Sequence, residues 1–106
     1  MSAPAATDTP VTVTSLIANM ISPQPRGTSV YWATQVVGGS GALEYKFWMY
    51  SASSGRWFVV QQYGSSNSVS WPMATPGTYW VQVWVRTVGS GAEYEAWANS
   101  AVLVIE

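Results

Sequence analysis

The chain has 106 residues, with four Lys and Arg against five Asp and Glu, and contains neither cysteine nor histidine. That composition offers no basic face for nucleic-acid phosphates, no polybasic contact for a membrane surface, no thiolate or disulfide, and no imidazole, the commonest general base and metal ligand. Hydrophobic residues make up 48% and aromatics 14%, enough apolar surface for one core and unlike the polar profile of disordered chains; no apolar run approaches the roughly 20 residues that span a bilayer.

Residues 1–10, MSAPAATDTP, are rich in Ala, Pro and Thr, as interdomain linkers are. They read as a linker or an added N-terminal tail, and they lack the basic start and apolar stretch of a signal peptide. Residues 11–106 read as a single domain. Turn signals punctuate it about every ten residues, and the segments between them alternate. Strands are predicted over 11–20, 28–37, 43–50, 56–63, 68–71, 78–88 and 94–106. The segments SPQPRG (22–27), GGSG (38–41), SASSG (51–55), GSSN (64–67), PMATPG (72–77) and GSGAE (89–93) separate them. No long segment has the apolar spacing of a helix. Seven short strands in this length predict an all-β fold: a seven-stranded antiparallel β-sandwich of the immunoglobulin or fibronectin type III kind. Tyr79 follows a Pro-Gly turn at the start of the sixth strand, where a tyrosine in such sandwiches hydrogen-bonds back across the corner.

Strand parity then assigns faces. In the third strand Glu44, Lys46, Trp48 and Tyr50 form one row, which points outward because unpaired burial of charge is costly. In the sixth, Tyr79, Val81, Val83 and Val85 point inward, while Trp80, Gln82, Trp84 and Arg86 point outward. Trp32, Val30 and Val36 of the second strand and Val69 and Trp71 of the fifth are core positions; Tyr79, Trp32 and Trp71 are the structural aromatics. In the fourth strand both rows are apolar, and periodicity does not choose between Trp57 with Val59 and Phe58 with Val60. In the immunoglobulin-type order the third and sixth strands are neighbours, and side chains on adjacent strands sit about 5 Å apart. Lys46, Trp48, Tyr50, Trp80, Gln82, Trp84 and Arg86 therefore form one outer aromatic and cationic surface, the candidate binding site. Two readings stand. In one, Lys46 and Arg86 stack on Trp48, Trp80 and Trp84 and only stiffen the sheet, at roughly 0.5–1 kcal/mol per contact. In the other, the surface recognises a protein partner or, as the alternative, the faces of sugar rings.

The blocks EYKFWMY (44–50), RWFVVQQY (56–63), PGTYWVQVWVRTVGS (76–90) and YEAWANSAVLVI (94–105), with SPQPRGT (22–28) before them, resemble a repeated Ig-like module of multidomain secreted and cell-surface bacterial proteins. The module is similar in outline to fibronectin type III and three-tyrosine domains. The resemblance covers roughly residues 11–105. It implies a β-sandwich used in tandem as a spacer or interaction module, extracellular or at the cell surface, with sister modules or other proteins as partners and no catalytic residues. Trp48, Trp57 and Trp84 fall in the recurring blocks, which favours a structural role for them. An engineered version serving as a binding scaffold is a further reading.

No catalytic constellation is present, so the chain reads as not an enzyme, with no cofactor and no metal site. Glu93 and Glu95 are two apart and could share a strand face at about 6.8 Å, a spacing known for glycosidase carboxylates, but they read as solvated charges. The serines in SASSG and GSSN have no histidine to activate them. The first and last strands, VTVTSLI and AVLVI, are apolar and β-branched, and as edges they invite a homo-oligomer.

Overall fold

The computed structural model describes residues 10–39 and 41–106; the tail reading of residues 1–10 thus falls almost wholly outside the described residues, as does Ser40 of the GGSG turn. The described residues form eight strands: β1 (Thr12–Ala18), β2 (Thr28–Val37), β3 (Leu43–Ser51), β4 (Arg56–Gly64), β5 (Ser68–Met73), β6 (Gly77–Thr87), β7 (Ala96–Asn99) and β8 (Leu103–Ile105). They make two antiparallel sheets. The smaller has the order β1-β2-β5; the larger runs β4-β3-β6, with β7 and β8 sharing the far edge of β6. The sheets pack face to face as a β-sandwich.

The core fills from alternate positions, as the period-two pattern requires. Val81, Val83 and Val85 of β6 are fully buried, as are Phe47 and Met49 of β3 and Val30 and Trp32 of β2. Val36, Val69 and Trp71 pack against this core while partly exposed. The Trp32 indole N–H is buried with no hydrogen-bond partner among the described residues. In β4 the ambiguity resolves inward for Phe58 and Val60, which join the core, and Trp57 faces solvent.

The corner forms as expected. Tyr79 is buried, and its hydroxyl donates to the Thr75 carbonyl at 2.7 Å. Gly77 makes room for it at φ +151°; a Cβ there would lie 3.2 Å from Ser53 Oγ and 3.5 Å from the Tyr79 ring.

The last segment departs from the expectation of one strand, and the sandwich has eight strands rather than seven. On β6 Gln82 pairs with Asn99 but Tyr79 pairs with Leu103, so four steps along the last segment oppose three on β6. Ser100 occupies the interruption. Its backbone N–H donates to Val81 O at 2.7 Å, and its hydroxyl accepts from Val81 N at 2.9 Å. The side chain thus replaces a ladder carbonyl. One inserted residue reverses which side chains face the core, and Leu103 and Ile105 turn inward beside Ala98. The outer edge of β8 is not open. Gln24 N–H donates to Val104 O at 3.0 Å, Glu106 N–H to Gln24 O at 2.9 Å, and Val104 N–H to Ser22 Oγ at 2.7 Å.

Candidate functional site: the aromatic face of the larger sheet

β3 and β6 lie side by side, and their register places Glu44 opposite Arg86, Lys46 opposite Trp84, Trp48 opposite Gln82, and Tyr50 opposite Trp80. All seven sequence-derived site residues therefore share the outer face. The three structural aromatics, Tyr79, Trp32 and Trp71, lie on the inner side.

Two aromatic groups cross this face. Tyr50 stacks on Trp80, centroids 4.4 Å apart, and on Trp57 at 5.0 Å, while Trp57 meets Trp80 edge-on at 6.2 Å. Further along the strands Trp84 lies 5.2 Å from Trp48 and 4.9 Å from Tyr94. The stacked pairs are tilted by 32–56°, in the offset geometries that ring quadrupoles favour. The surface is corrugated rather than flat. Shallow depressions of about 220 and 240 Å³ flank the ridge of Gln82 and Trp84. One is bordered by Trp48 and Trp57, the other by Tyr94 and Trp97.

Most polar groups of the face hold one another; the Trp48 indole N–H is buried with no hydrogen-bond partner among the described residues. Trp84 Nε1 donates to Gln82 Oε1 at 2.7 Å, and Gln82 Nε2 donates to Asn99 Oδ1 at 2.9 Å. Lys46 Nζ sits 4.5 Å from the Trp48 centroid and 5.6 Å from that of Trp84, as expected of a cation on an indole face. Arg86 differs from its expected place. It covers Tyr63 at 3.7 Å, not a tryptophan, and Trp80 is stacked by rings alone. The reason is the ion pair: Arg86 Nε donates to Glu44 Oε2 at 2.6 Å and Nη1 to the Ala92 carbonyl at 2.8 Å, which turns the guanidinium toward β4. Tyr63 is there to receive it because β4 carries two extra residues against β3. Five steps from Val59 to Gly64 oppose three from Trp48 to Tyr45; a net shift of two keeps Tyr63 on the same outer face as Trp57 and sets it beside Lys46 instead of Glu44. Its hydroxyl donates to the Glu93 carbonyl.

Burial pushes the Tyr63 phenol above its ordinary value of 10.0; Arg86 pulls part of the way back, and the carboxylates of Glu44, Glu93 and Glu95 push it up again. The folded protein therefore holds this proton more tightly than the unfolded chain. The associated stability is complete below pH 10 and is lost as pH rises through the folded value. Urea unfolding followed from about pH 9 to 12 is expected to show a falling midpoint, with a shallower fall in Tyr63→Phe.

Four members of the face, Trp57, Tyr63, Tyr94 and Trp97, were not assigned to it from sequence. Trp57 is 43% exposed, Tyr94 43% and Trp97 52%, more than the partly buried tryptophans of β3 and β6. Trp97 pairs directly with Trp84 across β6 and β7, so alternation within AWAN counted back from Trp84 could have placed it.

The Glu93 and Glu95 pair lies beside this face. Glu95 Oε1 accepts from the Thr87 hydroxyl at 2.9 Å, and that hydrogen bond holds its carboxyl below the ordinary value. A glycosidase acid needs the opposite shift. Among the described residues no three His, Cys, Asp or Glu side chains cluster as metal ligands would.

No protein-family model matches this chain, and no curated protein matches it. The functional reading rests on the geometry of the face.

Proposed function

We propose that the chain is a non-catalytic interaction module of a secreted or cell-surface bacterial protein, Ig-like or fibronectin type III-like in fold, whose outer aromatic face binds a protein partner or a sister module. A three-stranded sheet opposing a larger one, with a tyrosine corner at the start of β6, supports the fold assignment. The observation that carries the functional reading is the exposure of Trp57, Tyr94 and Trp97 around the more buried Trp48, Trp80 and Trp84. A ladder that only stiffened the sheet would need the inner set alone. Rings left half in water at both flanks are the anchors that interfaces enrich. The uncharged ridge of Gln82 and Trp84 with a depression on each side favours one second reading, a carbohydrate chain laid across the same rings.

The test is the Trp57→Ala/Trp97→Ala double variant. Its unfolding free energy is expected to fall by less than about 1 kcal/mol, as for surface changes. Its affinity for any partner of the wild-type protein is expected to fall at least about 30-fold, the loss of one interface hot spot. A large loss of stability with every interaction retained would return the face to a purely structural role. Binding confined to a glycan array would select the carbohydrate reading.

A further inference from the structure

The sandwich has a second feature, on the side away from β7. There β4 and β5 form facing edges of the two sheets, bridged by Phe58 and Trp71 with ring centroids 5.8 Å apart. Where β3 turns into β4 and β5 into β6, a pocket of about 350 Å³ opens beside this aromatic pair. We propose that it binds an uncharged phenolic ring, either a free small aryl alcohol or the side chain of a tyrosine in a partner's peptide.

Size, lining and an unspent hydroxyl point to that chemistry. A cavity of roughly 150 Å³ holds one benzene, so this pocket of about 350 Å³ has room for a phenolic ring with its substituent. Its deep side is formed by Met49 and Met73, both nearly or fully buried, and its wall by Phe58 and Trp71. Thioethers and ring faces are favourable neighbours for an aromatic ring. No charged side chain lines it, so an ionised ligand would lose its hydration with no counter-charge in return. Its hydroxyls come from Ser51, Ser53 and Ser54 and from Thr75 and Tyr79, and that of Tyr79 is already committed to the Thr75 carbonyl at 2.7 Å. Ser51 is 9% exposed, yet among the described residues its hydroxyl has only Ser53 Oγ at 3.3 Å, long for a bond between hydroxyls. The other buried hydroxyls of the core both donate short bonds, Thr34 to Ser15 O at 2.8 Å and Tyr79 to Thr75 O at 2.7 Å. Ser51 thus keeps hydrogen-bonding capacity at the polar edge of the pocket, where the hydroxyl of a phenol inserted against Met49 and Met73 would meet it.

The test is NMR of the protein labelled with ¹³C at the methionine methyls. Met49 and Met73 report on the pocket; Met20, in the depression on the β1 side, is the internal reference. Titration with 4-methylphenol is expected to shift Met49 and Met73 saturably and leave Met20 in place. Ser51→Ala is expected to weaken this binding about three- to tenfold, the net worth of one hydrogen bond. Ser54→Phe, at an exposed rim position, is expected to abolish it with the Met20 resonance unchanged. A blocked Ala-Tyr-Ala peptide that produces the same shifts identifies a partner's tyrosine as the source; shifts with 4-methylphenol alone identify a free small molecule. The proposal is overturned if neither probe moves Met49 and Met73, if cyclohexanol or benzoate moves them as strongly, or if Met20 moves in parallel. Trp97→Ala leaves this titration unchanged, so its outcome is independent of the outer face.

Discussion

Val83→Asp is expected to leave the chain unfolded at room temperature, whereas Gln82→Glu, one residue away, folds with a loss of no more than about 1.5 kcal/mol. Val83 is fully buried in the middle of β6, opposite Phe47 of β3. Losing its side chain from the core costs about 1.5–3 kcal/mol, and a carboxylate without a partner there adds several more. Together these approach the 5–15 kcal/mol that hold a typical domain folded. Gln82 points the other way, to Asn99 and Trp84; a glutamate keeps the oxygen that accepts from the Trp84 indole and gives up only the exposed amide bond to Asn99. Circular dichroism and urea titration of the two variants check the parity of the strand directly: a folded Val83→Asp beside an unfolded Gln82→Glu would mean that the inner and outer rows have been exchanged.

Trp32→Ala is the second large effect, with an expected loss of about 3–5 kcal/mol for a fully buried indole truncated to a methyl. Trp32→Phe is expected to cost less than about 2 kcal/mol. Phenylalanine keeps most of the packing of the smaller sheet and removes an indole N–H that is buried without an acceptor among the described residues. Such an orphaned donor costs about 1–3 kcal/mol, and its removal offsets part of the lost ring. Urea unfolding of both variants separates the packing contribution from the polar one. A phenylalanine variant as unstable as the alanine variant would show that the N–H is satisfied in solution.

The readable parts of the sequence were those where a polar residue marked the outer row. In β3 and β6, Glu44, Lys46, Gln82 and Arg86 fixed the parity and made the two outer rows neighbours, while the register that pairs Lys46 with Trp84 and Tyr50 with Trp80 comes from the structure. β4 carries no such mark between Trp57 and Val60, and its two extra residues act through register, which alternation along one strand does not reveal. The last segment misleads for a related reason. AWANSAVLVI reads as one continuous strand because Ser100 looks like an ordinary strand residue, and its role as a side-chain substitute for a ladder carbonyl depends on Val81, 19 positions earlier. The candidate site was half legible for the same cause. Its centre came from two strands with clear parity, and its exposed margins, Trp57, Tyr63 and Trp97, came from strands whose placement requires knowledge of their neighbours.

The aromatic face draws on segments as distant as Lys46 and Trp97, and Trp48, Tyr50, Trp57, Trp80 and Trp84 each rest on a ring from another strand. No excised peptide can reproduce it, and a linear epitope cannot stand in for it. Anything that grips several of these rings at once also clamps β4, β3, β6 and β7 together. Occupancy would then be felt throughout the fold, as mass action raises the melting temperature in step with ligand concentration.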